Sequence, residues 1–361
     1  RARRTGGGQG SLPRTERDIP IGIVGVITLV CMAPIAVLLA SFDSGGALNG
    51  HMTALVIGGL VYIALMSFFV SAVCGYMAGL IGSSNSPLSG IGILAVIGAA
   101  LLLVFGVRSS LPASAQQALV AYALFVTAVV FAVATIANNN LQDLKTGQLV
   151  DATPWRQQVA LVIGVIAGAV IIPPILDLLN QAYGFAGAPG PHRDHALPAP
   201  QAGLISALAQ GVLQNNVDWS LIEVGVGIGV AIIIVDEVLR RVTRGAHLSP
   251  LAVGLGIYLP TQSTLMVVVG AIAGWYFDHR ADRRTDPPRI KQLGILFASG
   301  LIVGEGLIGV LIAGLVAFSG KDFPLSLVGD SFANGVAVIL GPAAFAVVAL
   351  VMYRWVARLR E

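Results

Sequence analysis

The sequence predicts an all-α polytopic membrane protein with about nine hydrophobic segments, on three observations. Hydrophobic residues make up 56% of the chain and charged residues 11%, with a mean hydropathy of +0.84; soluble domains carry about 25% charge. Apolar runs of about 20 residues recur from end to end, each long enough to cross roughly 30 Å of hydrocarbon. None alternates with the period of two that a membrane-barrel strand requires. The formal net charge of +3 and the pI near 9.0 come from loop arginines, which read as topology signals rather than a nucleic-acid footprint. Cys31 and Cys74 fall inside apolar runs and read as small buried side chains, with no disulfide or metal framework expected and no cofactor.

Residues 1–18 are basic, Gly-rich and polar, the composition of a flexible cytoplasmic arm. The spans then read as 19–41, 53–81, 91–107, 117–136, 159–178, 221–239, a complex region 251–277, 294–318 and 331–355. The opening RARRTGGGQGS resembles an inter-span loop cut open. The transmembrane domain 19–361 is therefore expected to be the C-terminal part of a longer protein, with N-terminal helices missing.

Between the second and third spans lies GYMAGLIGSSNSPLSG, carrying Ser83, Ser84, Asn85, Ser86 and Pro87. A chain this apolar should leave the membrane through charged or aromatic residues, and here it turns on small hydroxyls and one amide. Non-helical backbone at membrane depth is tolerated where protein buries it or where it lines a wet cavity, and broken segments of this sort point to a transporter's binding site. The alternative is a tight turn at the membrane surface.

Lys and Arg in short loops set orientation. Arg3, Arg4, Arg14 and Arg17 place the N-terminal arm in the cytoplasm, and alternation puts Lys145, Arg156, Arg240, Arg241 and Arg244 there too. A single crossing by 251–277 would then send the most basic loop, with Arg280, Arg283, Arg284, Arg289 and Lys291, outside. A re-entrant hairpin with Pro260 near its tip repairs this, because proline lacks an N–H and disfavours helix in the residue before it. Thr261, Gln262, Ser263 and Thr264 would cap the returning arm. The rival is one kinked span.

The loop 179–220 is long, Pro-rich at first and expected to face the periplasm. Leu204, Ile205, Leu208 and Val212 have helical spacing, which predicts a surface helix against the bilayer. His192, Asp194 and His195 offer a weak metal signal in a Pro-rich loop. The segment 138–155 is too hydrophilic to span, and Asp143 and Lys145 would lie on a short cytoplasmic helix or in an interfacial loop.

Glu305 stands mid-span between Gly304 and Gly306. An ionisable group at bilayer centre costs several kcal/mol and by default marks a function such as a proton relay; burial would raise its pKa toward neutrality. The alternative is a neutral carboxyl locking two helices. Asp236 and Glu237 beside Arg240 and Arg241 read as an ion-pair cluster at a helix end. The pairs Gly164/Gly168, Gly270/Gly274 and Gly300/Gly304 have the spacing for close helix approach.

Together, GYMAGLIGSSNSPLSG, NLQDLKTGQLVDATPWRQQ, LSPLAVGLGIYLPTQSTL and GLIVGEGLIG resemble the oligopeptide transporter (OPT) superfamily, in the order of that family's C-terminal portion. The resemblance implies secondary active uptake, commonly coupled to protons, of small peptides or, in the yellow-stripe-like branch, of metal chelates. The family's turn usually reads SSNNP; here Ser86 replaces the second Asn. Carried over, the marked positions are 82–87, Asp143, Leu144, Lys145, Thr146, Gly147, Pro260 and Glu305.

The substrate-binding or gating candidates are thus Ser83, Ser84, Asn85, Ser86, Pro87, Tyr258, Pro260, Gln262, Asp143 and Lys145, with Glu305 for proton coupling. The expected partners are a small peptide or metal chelate, protons, the lipid bilayer, the missing N-terminal helices and a further copy in a homo-oligomer. The expected location is the cell membrane, as a multi-pass protein of the bacterial inner membrane. An intramembrane enzyme would need a nucleophile–base pair or metal ligands at depth, and no His lies within an expected span. A channel would lack strict proton coupling.

Overall fold

The computed structural model describes residues 12–42, 46, 48–81, 88–112, 115–186, 196–216, 218–243, 248–284, 286–321, 324–327, 332 and 335–358. Within these, the side chains of 81, 251, 255, 258, 262, 263 and 357 are not described. Eleven α-helices occur among the described residues: α1 Ile21–Ser41, α2 Met52–Ile81, α3 Leu88–Gly106, α4 Gln116–Leu149, α5 Pro154–Ala182, α6 Pro200–Gln214, α7 Trp219–Val242, α8 Pro250–Tyr258, α9 Thr261–Ala281, α10 Pro287–Ser319 and α11 Val336–Arg358. The sole strand-like pairing described is an isolated bridge between Phe185 and Leu197. Helices satisfy their own backbone groups, the condition for crossing lipid. Seven helices, α1 to α5, α10 and α11, are long and apolar enough to cross a membrane; α7 and the α8–α9 pair are outside that set, so the expected count of nine is not reached by this measure.

The chain divides into two units, Arg1–Val170 with Gln201–Val224, and Ile171–Pro200 with Gly225–Glu361. In the first, α2 and α4 run parallel: the Tyr122 hydroxyl reaches Leu55 and, farther along both helices, Gly75 faces Leu141. The α3 helix runs against them, with Tyr62 donating to the Ala95 carbonyl at 2.6 Å and Phe131 filling the space beside Gly92. Leu39, Ile63, Tyr122 and Val130 are buried in this core.

Two expectations change here. The fourth span does not stop at 136: α4 continues through the polar residues to Leu149, so Asp143 and Lys145 extend the span rather than forming a separate short helix. A helix makes its own hydrogen bonds, so polar side chains need not end it, and Asn138 is buried within it. Second, α6 forms as its spacing predicts, but its apolar face meets protein rather than lipid. Ala209, Val212 and Leu213 are buried, with Ile205 and Leu208 packed on the same core.

The α4–α5 connection is tight. Val150 and Ala152 N–H groups donate to the Gly147 carbonyl, and Asp151 has φ 54°, a left-handed conformation that Asp tolerates. The start of α5 is tied to the residues before α1, with the Trp155 N–H donating to the Arg17 carbonyl and the Ile19 N–H to Gln158 Oε1, each at 3.0 Å. Asp218 caps α7 by accepting from the Ser220 hydroxyl and the Ser220 and Leu221 N–H groups. The Ser220 hydroxyl bond, first among these, holds its carboxyl below the usual range.

In the second unit, Ala182, Ala313 and Val316 form a small buried cluster. Tyr353 packs its ring 5.0 Å from Phe277 and 5.2 Å from Phe297, joining α9, α10 and α11. Asp286 accepts from the Arg289 N–H to cap α10, and Gly320 closes that helix at φ 65°, where glycine bears no Cβ penalty. Among the described residues, a Cβ at Gly164, Gly270, Gly274, Gly300 or Gly304 of the anticipated glycine pairs would meet nothing within 4 Å. Spacing marks a smooth helix face without saying what covers it.

Candidate functional site

In the first unit, Ser83, Ser84, Asn85, Ser86 and Pro87 lie outside the described residues. Their flanks are the end of α2 and the start of α3. Gly75 on Leu141 sets the end of α2 beside the polar end of α4, which carries Asp143 and Lys145. Both side chains are exposed, and Lys145 Nζ donates to Gln148 Oε1 at 3.2 Å. The Asp143 backbone carbonyl accepts from Gln157 Nε2 at 3.0 Å. The Gln157 amide occupies the space where a Cβ of Gly147 would stand, so a side chain at that position of α4 would displace the amide. Gln201 on α6 donates to the Ser89 hydroxyl at 3.1 Å, two residues past Pro87 in the sequence.

The second unit contains the expected helix break. α8 ends at Tyr258, α9 begins at Thr261, and Pro260 between them has φ −55° and ψ 140°, an extended conformation. Ser249 opens α8 by accepting from the Ala252 N–H at 3.3 Å, with Pro250 at the first helical position; both are favoured helix starters. Pro260, the residue before α9, makes no side-chain cap, and of the four polar residues expected to cap that helix only Thr261 and Thr264 have described side chains. The Thr264 hydroxyl instead donates back to the Thr261 carbonyl at 3.1 Å and the Pro260 carbonyl at 3.4 Å. The first N–H groups of α9 consequently lack a side-chain acceptor among the described residues. The side chains of Tyr258 and Gln262 lie outside the description.

Glu305 is on α10 and exposed within this chain, and no ion pair or hydrogen bond reaches its carboxylate among the described residues. Among the described residues, a Cβ at Gly300, Gly304 or Gly306 beside it would meet nothing within 4 Å. His192, Asp194 and His195 lie outside the described residues, and no metal-holding group of His, Cys, Asp or Glu occurs among those described.

The ion-pair cluster is present. Arg240 Nε stands 3.2 Å from Asp236 Oδ2, and Arg241 Nη2 is 2.6 Å from Glu237 Oε1. Sequence reasoning missed the other oxygen of Asp236, which accepts the Leu248 backbone N–H at 2.8 Å. A backbone donor twelve residues away leaves no mark in side-chain chemistry. The Gln157 and Gln201 contacts were missed for the same reason: a lone Gln carries no spacing signal.

The fold and site define a multi-pass helical membrane protein in which a short helix stops at a proline and a longer one resumes. Residues 4–316 match the OPT oligopeptide transporter protein family. The chain belongs to the OPT family, whose members are transporters rather than enzymes. It is 42% identical over 337 residues to a Haemophilus influenzae protein named for oligopeptide transport, covering 89% of this chain and 53% of that protein. It is 28% identical over 207 residues to a rice (Oryza sativa subsp. japonica) protein named for metal-nicotianamine transport, YSL10, covering 55% of this chain and 28% of that protein. A Saccharomyces cerevisiae protein named for oligopeptide transport, YGL114W, is 27% identical over 184 residues, 48% of this chain and 24% of the relative. The chain thus spans about half the length of the Haemophilus relative it matches. No solved structure matches it significantly.

Proposed function

We propose that this chain forms part of a secondary active transporter of the bacterial inner membrane that takes up oligopeptides together with protons. The helix break at Pro260, in a chain of this family, carries the reading. With nine residues, α8 is about 13.5 Å long, under half of the roughly 30 Å of hydrocarbon. It enters the bilayer partway, and α9 returns to the same face, which keeps the Arg280–Lys291 loop on the side of Arg240 and Arg241. The last C=O groups of α8 and the first N–H groups of α9 are left without intrahelical partners. Partial positive charge at the start of α9 suits a peptide's terminal carboxylate. In this reading Tyr258, Pro260, Gln262, Ser83, Ser84, Asn85, Ser86 and Pro87 are the substrate-binding candidates, Asp143 and Lys145 gate, and Glu305 carries the proton.

The 42% identity to a relative named for oligopeptide transport favours peptides. Several plant relatives named for metal-nicotianamine transport favour chelates as the second reading. Counterflow in proteoliposomes holding the complete protein separates them: tripeptides and an iron chelate are offered in parallel. Exchange of peptide supports the first reading and exchange of chelate the second. Exchange of neither contradicts both.

A further inference from the structure

We propose that Asp236 is a positioning residue that holds the start of α8, and through it the proline break, against the end of α7. The inference rests on the transport reading for its functional half and on geometry alone for the rest. Asp236 is 7% exposed, an uncommon setting for a carboxylate, and both of its oxygens are used. Oδ2 faces Arg240 Nε at 3.2 Å, and Oδ1 accepts the Leu248 N–H at 2.8 Å.

These two contacts do different work. The Arg240 side chain is 61% exposed, so its half of the pairing is screened and contributes little. The Leu248 N–H belongs to a part-buried backbone, and a hydrogen bond from backbone to an ionised carboxylate is among the stronger kinds. Leu248 directly precedes Ser249, whose hydroxyl accepts the Ala252 N–H, and Pro250, the first residue of α8. A continuous path of contacts therefore runs from the α7 side chain into the first turn of the short helix. Nine residues form too few turns to hold a helix's direction alone. Asp236 supplies a fixed point through its bond to the Leu248 N–H.

Asp236→Leu keeps the approximate shape and removes the acceptor, Asp236→Asn restores an acceptor without charge, and Asp236→Glu moves the acceptor by one methylene. Hydrogen–deuterium exchange of residues 248–258 is measured in the complete protein in detergent, with counterflow KM and thermal midpoint alongside. Asp236→Leu should speed exchange of this stretch by about tenfold or more, Asp236→Asn should restore most of the protection, and Arg240→Ala should leave it unchanged. Asp236→Glu should raise KM while the thermal midpoint stays at the wild-type value, a split that a merely structural role would not produce. Wild-type exchange in Asp236→Leu, or unchanged KM in Asp236→Glu, would overturn the proposal. If Asp236→Leu fails to accumulate, Asp236→Glu and Asp236→Asn decide by the same readouts. A wild-type protein without counterflow would defeat the transport reading, while the exchange result would still decide whether Asp236 holds α8.

Discussion

Tyr122 on α4 donates its hydroxyl to the Leu55 carbonyl on α2 at 2.6 Å, and its oxygen occupies the place a Cβ of Gly59 would take. In a helix the Leu55 carbonyl already accepts from the N–H of Gly59, and its second lone pair remains. The missing side chain at Gly59 lets the phenol reach that lone pair. Burial, a hydrogen bond and a small residue thus set the register of the two parallel helices.

Gly59→Ala should destabilise the protein by about 1–3 kcal/mol through overpacking, and Tyr122→Phe by about 0.5–1.5 kcal/mol through the lost bond. The two effects should not add. Without the phenol oxygen, the next ring atom stands 3.5 Å from the added Cβ, so Gly59→Ala costs less in a Tyr122→Phe background. Thermal midpoints of the four proteins in detergent form the cycle; strict additivity would contradict the contact.

Gly147→Ala forces the Gln157 amide off the Asp143 carbonyl and should cost about 0.5–1.5 kcal/mol through the lost hydrogen bond. Trimming the obstructing side chain, as Gln157→Ala, should remove most of that penalty. The double variant melting as low as Gly147→Ala alone would show that Gln157 is not the obstacle.

Leu213→Ala tests which way α6 faces. Leu213 is 1% exposed, so its truncation should cost about 2–5 kcal/mol, read as a lower melting midpoint. A helix resting its apolar face on lipid would show little change.

Much of the fold was legible because apolar runs of spanning length leave few alternatives. Pro260 also announced its break, since proline removes a donor whatever surrounds it. What covers each face was less legible. The apolar stripe of α6 has the same spacing against protein as against lipid, and Gly300/Gly304 has the same spacing whether or not a helix lies on it. The end of α4 was misjudged because polarity in 138–149 reads as water exposure, whereas Asn138 is buried. At the candidate site, Asp236 was visible as half of an ion pair; its bond to the Leu248 N–H depends on chain path.

Glu305→Gln replaces an exposed mid-helix carboxyl on α10 by an amide that cannot bind or release a proton. Uptake by the complete protein should lose its dependence on an imposed pH gradient while substrate counterflow persists. Proton coupling as strong as in wild type would remove Glu305 from the pathway.

The most direct test of the central claim, that α8 enters the membrane and α9 returns to the same face, is cysteine accessibility. In a Cys31→Ala, Cys74→Ala background, Arg241→Cys at the end of α7 and Arg284→Cys beyond α9 are labelled with a membrane-impermeant thiol reagent from either side. A returning α9 predicts that both positions react from one and the same face. Reaction of the two from opposite faces would make 250–281 a single crossing and contradict the account.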